Sequence, residues 1–183
     1  MTIYTPIANG GQDHGLFGGM ISLMADFGVA LAFIRDSRGF LLMQHRDEHA
    51  PGGANKWGMP GGQIEAGESA LEAVHREVFE ETGLVVPNMR RFWSGMHPAA
   101  GSDIPEPVMI HAFCGTTTAT QDDVVLGEGQ AMVFVDPNDI PALDTLPWVP
   151  TLLEMLEHHV KADIAEGGVV EGLGHRGENG ETQ

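Results

Sequence analysis

The sequence predicts an α/β fold in which a mixed β-sheet lies between helices. Strand-like apolar runs and segments with helical periodicity follow one another in the order β-β-α-β-β-β-α, which favours a sheet covered by helices on both faces. The chain has 183 residues, of which 42% are hydrophobic, and this is enough for the core of one ordinary domain. A single α/β domain is therefore the starting prediction.

The first two elements are predicted to form a β-hairpin. Two apolar runs, GVALAFIR at 28–35 and GFLLMQHR at 39–46, flank a polar turn that ends in a glycine, which is typical of an antiparallel pair. The next residues, 49–55, have the composition of a loop. In 56–62, Pro60 and two glycines exclude a helix and favour sharp turns.

The clearest helix is predicted over 69–82. Ser69 followed by Glu72 matches a capping box, and Gly83 stands where a left-handed residue ends a helix. Leu71, Val74 and Val78 recur at helical spacing, so we expect them to form the buried stripe.

Three further strands and one helix complete the predicted domain. The strands are expected at 90–97, 108–118 and 130–135, and the helix at about 150–165. The two ends of the chain are rich in glycine. The predicted organisation is therefore a partly ordered N-terminal segment at 1–25, a domain at 26–165 and a flexible tail at 166–183.

Composition limits the partners of this chain. It has 9 basic and 26 acidic side chains and a formal charge of -17, so we expect no binding to a nucleic acid polymer. No apolar run reaches the length needed to span a bilayer, and a single cysteine, Cys114, excludes an intrachain disulfide. These features predict a cytoplasmic protein that does not bind membranes. Small phosphorylated substrates remain compatible with the charge, because carboxylates bind them through a divalent cation.

Carboxylates are concentrated on the predicted helix. Glu77, Glu80 and Glu81 lie at i, i+3 and i+4 and should share one patch of its surface. Like charges so placed repel each other unless a cation lies among them, and oxygen ligands suit Mg²⁺ or Mn²⁺. The alternative is an acidic face exposed to solvent, which is what most glutamate runs are.

The spacing around these glutamates decides between the two interpretations. Residues 62–84 fit the pattern G-x5-E-x7-R-E-U-x-E-E-x-G-U, where U is apolar, at every fixed position. This pattern resembles the Nudix box, and the order of the other elements over 28–165 is also similar to that family. The resemblance implies an α/β/α sandwich, and it implies a metal-dependent hydrolase that cleaves a nucleoside diphosphate linked to another moiety X.

The resemblance also implies roles for individual residues. Glu77, Glu80 and Glu81 would hold Mg²⁺ or Mn²⁺, with the carbonyl group of Gly61 as a further ligand. Arg76 would orient the catalytic helix by pairing with Glu68. Glu128, in a GEGQ stretch before the last strand, matches a glutamate that acts as a metal ligand or general base in family members resembling oxidised-nucleotide triphosphatases.

The moiety X is less well defined. Arg46 is a candidate phosphate contact and Trp148 a candidate base platform, although an exposed strand-end charge and simple packing are the respective alternatives. Members specific for ADP-ribose carry a proline where this chain has Ala100, with Pro98 nearby. A nucleoside triphosphate or related derivative is the leading substrate class. The alternatives are a nucleotide-sugar or ADP-ribose pyrophosphatase and a non-catalytic nucleotide-binding module, and a homodimer is possible in this family.

Overall fold

The structure is a computed structural model that describes residues 28–97 and 108–165. The predicted segments at 1–25 and 166–183 lie outside the described residues. The described residues form seven strands, two helices and two short 3₁₀ turns at Gln121–Asp123 and Ile140–Ala142. The strands are β1 Val29–Arg35, β2 Leu41–His45, β3 Trp57–Gly58, β4 Gly61–Gln63, β5 Arg90–His97, β6 Val108–Thr116 and β7 Ala131–Val135. The helices are α1 Ala70–Thr82 and α2 Val149–Ala165.

All seven strands belong to one mixed sheet. Its main order is β3-β2-β1-β6-β5, with β4 paired to β1 and β7 paired to β2. The β1–β6 pairing is parallel and the other pairings are antiparallel. Strand β1 thus has three neighbours, and its pairing with β4 brings the glycines of that short strand to the middle of the sheet. The predicted α/β class with a mixed sheet is confirmed.

The sheet separates two hydrophobic cores, one under each helix. Alternate residues of β1 point to opposite faces, as the period of a strand requires. Ala30, Ala32 and Ile34 pack with the buried residues of α1, whereas Leu31 and Phe33 pack with those of α2. This three-layer arrangement holds α1 against β1 and β4.

Helix α1 has the ends that the sequence predicts but a different buried face. The Ser69 hydroxyl accepts a hydrogen bond from Glu72 N–H, the Glu72 carboxylate accepts one from Ser69 N–H, and Gly83 adopts a left-handed conformation at φ 70°. The prediction that Leu71 is buried is wrong, because 41% of this residue is exposed. Ala70 and Ala73 lie on the core side instead, since a helix lying close to a sheet favours small side chains where the two surfaces meet.

The short strands β3 and β4 were not expected from the sequence. Pro60 and the neighbouring glycines predict turns, and the structure has both turns and short strands in this region. The β4 backbone adds to β1 through the pairs Val29–Gln63, Ala30–Gly62 and Leu31–Gly61. Neither helix of the described residues has the length and apolarity that crossing a membrane requires.

Candidate active site

Arg76 is the centre of an ion-pair network at the start of the site. Its Nε and Nη2 donate to the two carboxylate oxygens of Glu68 at 2.9 and 3.0 Å, and Nη2 also donates to the carbonyl oxygen of Gln63 at 3.0 Å. The hydrogen bond from Arg76 lowers the pKa of Glu68. This bidentate geometry fixes the guanidinium plane and ties α1 to the loop and strand before it. The expected pairing of Arg76 with Glu68 is present.

The same guanidinium group also contacts two of the three predicted metal ligands. Nη1 of Arg76 donates to Glu77 Oε1 at 2.8 Å and to Glu80 Oε2 at 3.1 Å. The Glu80 side chain is 57% exposed, whereas that of Glu77 is 15% exposed. Arg76 therefore compensates part of the charge at these two positions, and a bound cation would compete with it for the same oxygens.

Glu77 lies directly against the glycine strand. A Cβ atom at Gly62 would be 2.5 Å from Glu77 Oε1 and 2.6 Å from its carboxyl carbon, so only glycine leaves room for this carboxylate. Burial is the largest cause of the raised pKa of Glu77; Arg76 lowers this pKa, and the charges of Glu80 and Glu128 raise it. The missing side chain of Gly62 thus leaves space for the Glu77 carboxylate to lie against the sheet.

Glu81 is the most deeply buried of the glutamates, at 4% exposure. Its Oε2 accepts a hydrogen bond from Gly61 N–H at 2.9 Å, and its Oε1 accepts one from Gln44 Nε2 at 3.0 Å. Burial raises the pKa of Glu81 to about 7, with smaller increases from the charges of Glu128 and Glu77. A carboxylate in this position is held by neutral donors only, and its charge is costly unless a cation is near.

The loop that carries Glu128 is attached to the end of α1. Val125 N–H donates to the Thr82 carbonyl at 2.9 Å, and Gly127 N–H donates to the Glu81 carbonyl at 2.8 Å. Glu128 itself is exposed, yet its charge acts on both Glu77 and Glu81. Three predicted site residues from two distant segments therefore come together.

Glu80 departs from the predicted arrangement. The sequence places Glu77, Glu80 and Glu81 on one patch, but in the structure Glu81 points inward to Gln44 while Glu80 lies on the solvent side with Arg76. The difference arises because residues i and i+1 on a helix point about 100° apart. Glu77 shares the Arg76 guanidinium with Glu80, and its charge also acts on Glu81.

The donor set has the chemistry that a hard divalent cation needs. It consists of carboxylate oxygens, and two of them, on Glu77 and Glu81, have raised pKa values that reflect burial and mutual repulsion. As they are placed, residues 28–97 and 108–165 contain no group of three or more acidic, His or Cys side chains that could hold a metal ion. The carboxylates fit Mg²⁺ or Mn²⁺ in kind, and Glu77 and Glu80 are paired with Arg76 instead.

The two predicted substrate contacts have other partners in the structure. Arg46 follows β2, and its Nη2 donates to the Pro51 carbonyl of its own loop at 3.0 Å, whereas its Nε is buried with no hydrogen-bond partner. Trp148 is only 7% exposed and packs in the core under α2. The structure thus places Trp148 as a packing residue and not as an open base platform. Pro98 and Ala100 lie outside the described residues.

Gln44 belongs to the site although the sequence analysis did not identify it. It is 1% exposed and is the fourth of the five residues of the LLMQH strand. The signal was present, because a polar side chain inside a buried apolar strand needs a hydrogen-bond partner. The sequence alone could not name that partner, since Glu81 is 37 residues away along the chain.

Comparison with protein families identifies the domain. Residues 26–157 match the sequence profile of the NUDIX domain, and this match covers most of the chain. The chain belongs to the Nudix family. The predicted family and the prediction of a Nudix-type enzyme are thereby confirmed at the level of the family.

Individual relatives agree with this assignment over different lengths. The chain is 46% identical over 67 residues to the "NAD-capped RNA hydrolase NudC" of Mannheimia succiniciproducens. This matched segment covers 33% of this chain and only 23% of that relative's length. The structure of a MutT protein from Methanosarcina mazei Go1 is 27% identical, with a TM-score of 0.61, over 75% of this chain and 94% of that one.

A third Nudix structure shares the fold at lower identity. It is the NUDIX domain of Shewanella oneidensis NrtR in complex with ADP ribose, which is 17% identical with a TM-score of 0.62 over 74% of this chain and 89% of that one. This likeness shows that the chain has the Nudix fold.

Proposed function

We propose that this protein is a divalent-metal-dependent hydrolase that cleaves a pyrophosphate linkage in a nucleoside diphosphate linked to a moiety X. The observation that carries the proposal is that Glu77 lies against Gly62, Glu81 accepts a hydrogen bond from Gly61 N–H, and the charge of Glu128 acts on both glutamates. Grouped carboxylates that are partly buried destabilise the fold in the absence of a cation, so their arrangement favours a functional site over a structural role.

The chain's own residues have distinct parts in the proposed reaction. Arg76, fixed by Glu68, orients α1 and holds Glu77 and Glu80 at the mouth of the site. Glu77, Glu80, Glu81 and the Gly61 carbonyl are the proposed ligands, and Glu128 accepts a proton from the attacking water or serves as a further ligand. A bound Mg²⁺ or Mn²⁺ would neutralise pyrophosphate charge and lower the pKa of water.

The identity of X is the open part of the proposal. The relatives concern different ligands: NudC is named as a hydrolase of NAD-capped RNA, and the NrtR domain binds ADP ribose. We retain a nucleoside triphosphate or related derivative as the leading class, with nucleotide sugars and ADP-ribose as the alternative. A non-catalytic binding module is less favoured because every box glutamate is present.

The remaining proposals concern partners and location. The formal charge of -17 favours a small nucleotide over a nucleic acid polymer, and the match to NudC makes a short capped RNA the right substrate to test this point. A cytoplasmic location is predicted from the sequence, and a homodimer is possible because dimers occur in the family; both stay predictions.

The proposal is tested by chromatography of reaction products from a substrate panel. The panel contains nucleoside triphosphates, nucleotide sugars, ADP-ribose, NAD, dinucleoside polyphosphates and a short NAD-capped RNA, each with Mg²⁺, Mn²⁺ or EDTA. We expect turnover of at least one pyrophosphate substrate with metal and none with EDTA.

Two matched variants distinguish catalysis from a general effect of charge. Glu80→Gln should lower kcat by roughly 10²-fold or more, because it removes a proposed metal ligand while the exposed position leaves the fold intact. Glu65→Gln removes the same charge from an exposed residue of the loop that precedes α1 and should be fully active. Nucleotide binding without turnover of any panel member would favour the binding module. Equal activity of Glu80→Gln and the unsubstituted protein would contradict the role of Glu80.

A further inference from the structure

Gln44 is a buried polar residue that follows three buried apolar residues in β2. It lies in β2 between β3 and β7, opposite Gly58 on one side and Met132 on the other. Within the described residues, its side chain makes one hydrogen bond, in which Nε2 donates to Glu81 Oε1 at 3.0 Å. Burying an amide is costly unless it makes a specific contact, and this contact is to a proposed metal ligand.

The Gln44 contact sets Glu81 apart from the other glutamates of the site. Glu77 and Glu80 are oriented by the charged guanidinium of Arg76. Glu81 has only the neutral N–H groups of Gln44 and Gly61, one on each oxygen. Neutral donors fix the direction of a carboxylate and bring no positive charge that a cation would have to displace.

Gln44 also supports the loop that carries Glu128. A Cβ atom at Gly129 would lie 3.3 Å from Cγ of Gln44, and Gln130 N–H donates to the carbonyl group of the neighbouring His45 at 2.7 Å. The loop therefore passes close beside the Gln44 side chain, with no room for a larger residue at position 129. Gln44 is thus hydrogen-bonded to the end of α1 and lies next to the residue after Glu128.

We propose that Gln44 is a positioning residue, which orients the Glu81 carboxylate and supports the Glu128 loop so that both can bind the divalent cation. This inference rests on the proposed function, because it takes Glu81 as a metal ligand. An amide is the side chain that fits: an apolar residue of the same size has no N–H group to donate, and a glutamate at this position would add a repelling charge beside Glu81.

The test measures Mn²⁺ binding directly, by electron paramagnetic resonance of free Mn²⁺ in titrations of the full chain. Gln44→Met keeps the volume of the side chain and removes the donor. We expect its Mn²⁺ dissociation constant to rise by roughly 10- to 100-fold, the range typical of residues that orient metal ligands. At saturating Mn²⁺, kcat should fall while KM changes by less than about twofold, because the buried Gln44 side chain offers almost no surface to a substrate.

The matched control is Gln121→Met. Gln121 also makes hydrogen bonds between elements, donating to the Met132 carbonyl and accepting from Phe134 N–H at 2.9 Å each, but it contacts none of the glutamates. It should lose stability and keep the Mn²⁺ affinity of the unsubstituted protein. Thermal unfolding in EDTA checks the fold of each variant, and Gln44→Leu replaces Gln44→Met if the latter does not fold.

The outcomes separate this inference from the proposed function. Weaker Mn²⁺ binding by the Gln44 variant alone supports the inference. If the unsubstituted protein binds Mn²⁺ and turns over substrate, and the folded Gln44 variant binds Mn²⁺ equally well, the inference is wrong and the proposed function stands. If the unsubstituted protein neither binds Mn²⁺ nor turns over substrate, both are overturned.

Discussion

Glu81 should make the stability of the protein depend on pH when divalent ions are removed. Its pKa is about 7 in the folded protein, against 4.5 for an ordinary glutamate. An acid with a raised pKa binds its proton more tightly in the folded state, so its contribution to stability is present at low pH and is lost as the pH rises from about 4.5 through about 7. The perturbation to make is Glu81→Gln, which keeps the shape and removes the titration.

The size of the effect follows from the two pKa values. At about 1.4 kcal/mol per pH unit, the difference between 4.5 and about 7 corresponds to about 3 kcal/mol of unfolding free energy. Above pH 7.5 nearly all of this unfolding free energy is lost from the unsubstituted protein, because the buried carboxylate is ionised near the charges of Glu77 and Glu128. We therefore expect Glu81→Gln to be more stable at pH 8 by up to about 3 kcal/mol and to be inactive.

Urea unfolding followed by tryptophan fluorescence, in EDTA at several pH values from 5 to 8, measures this difference. Groups that do not interact with Glu81 titrate alike in both proteins, so the quantity to compare is the difference in unfolding free energy between Glu81→Gln and the unsubstituted chain. The gap should widen as the pH rises, and Mn²⁺ at pH 8 should narrow it by stabilising only the unsubstituted protein. A gap that stays constant with pH, or a variant that is less stable at pH 8, would refute the reasoning.

Two further predictions concern Gly62 and Trp148. Gly62→Ala should lower kcat by about 10²-fold, because the added methyl group displaces the Glu77 carboxylate. Steady-state kinetics measures this loss and thermal unfolding checks the fold; full activity would show that Glu77 does not need glycine at position 62. Trp148→Leu should lose about 1 to 3 kcal/mol of stability through poorer packing and leave KM unchanged. A large rise in KM at unchanged stability would show instead that Trp148 binds substrate.

Local signals in the sequence predicted the parts of the fold that depend on neighbouring residues. The capping box at Ser69 and Glu72 and the left-handed Gly83 set the ends of α1, and the glutamate spacing led to the family. The face of α1 was predicted less well, because Leu71 suited the periodicity but the close contact with the sheet selected alanines. Helical spacing does not report how near the next layer lies.

Contacts between distant segments could not be predicted in the same way. The parallel pairing of β1 with β6, the hydrogen bond from Gln44 to Glu81 and the attachment of the Glu128 loop to α1 all join residues far apart in sequence. No local pattern encodes the partner in such a contact. The side-chain direction of Trp148 was open for the same reason, since composition alone fits both a core residue and a base platform.

The central place of β1 has a consequence for synthesis of the protein. Strand β1 emerges from the ribosome early, but its parallel partner β6 follows about 80 residues later. The entire glutamate motif is therefore exposed on a nascent chain before the sheet that positions Gly61 and Gly62 can be completed. A metal site of this design should be assembled late, and a chain arrested before β6 should not hold Mn²⁺ even though it carries Glu77, Glu80 and Glu81.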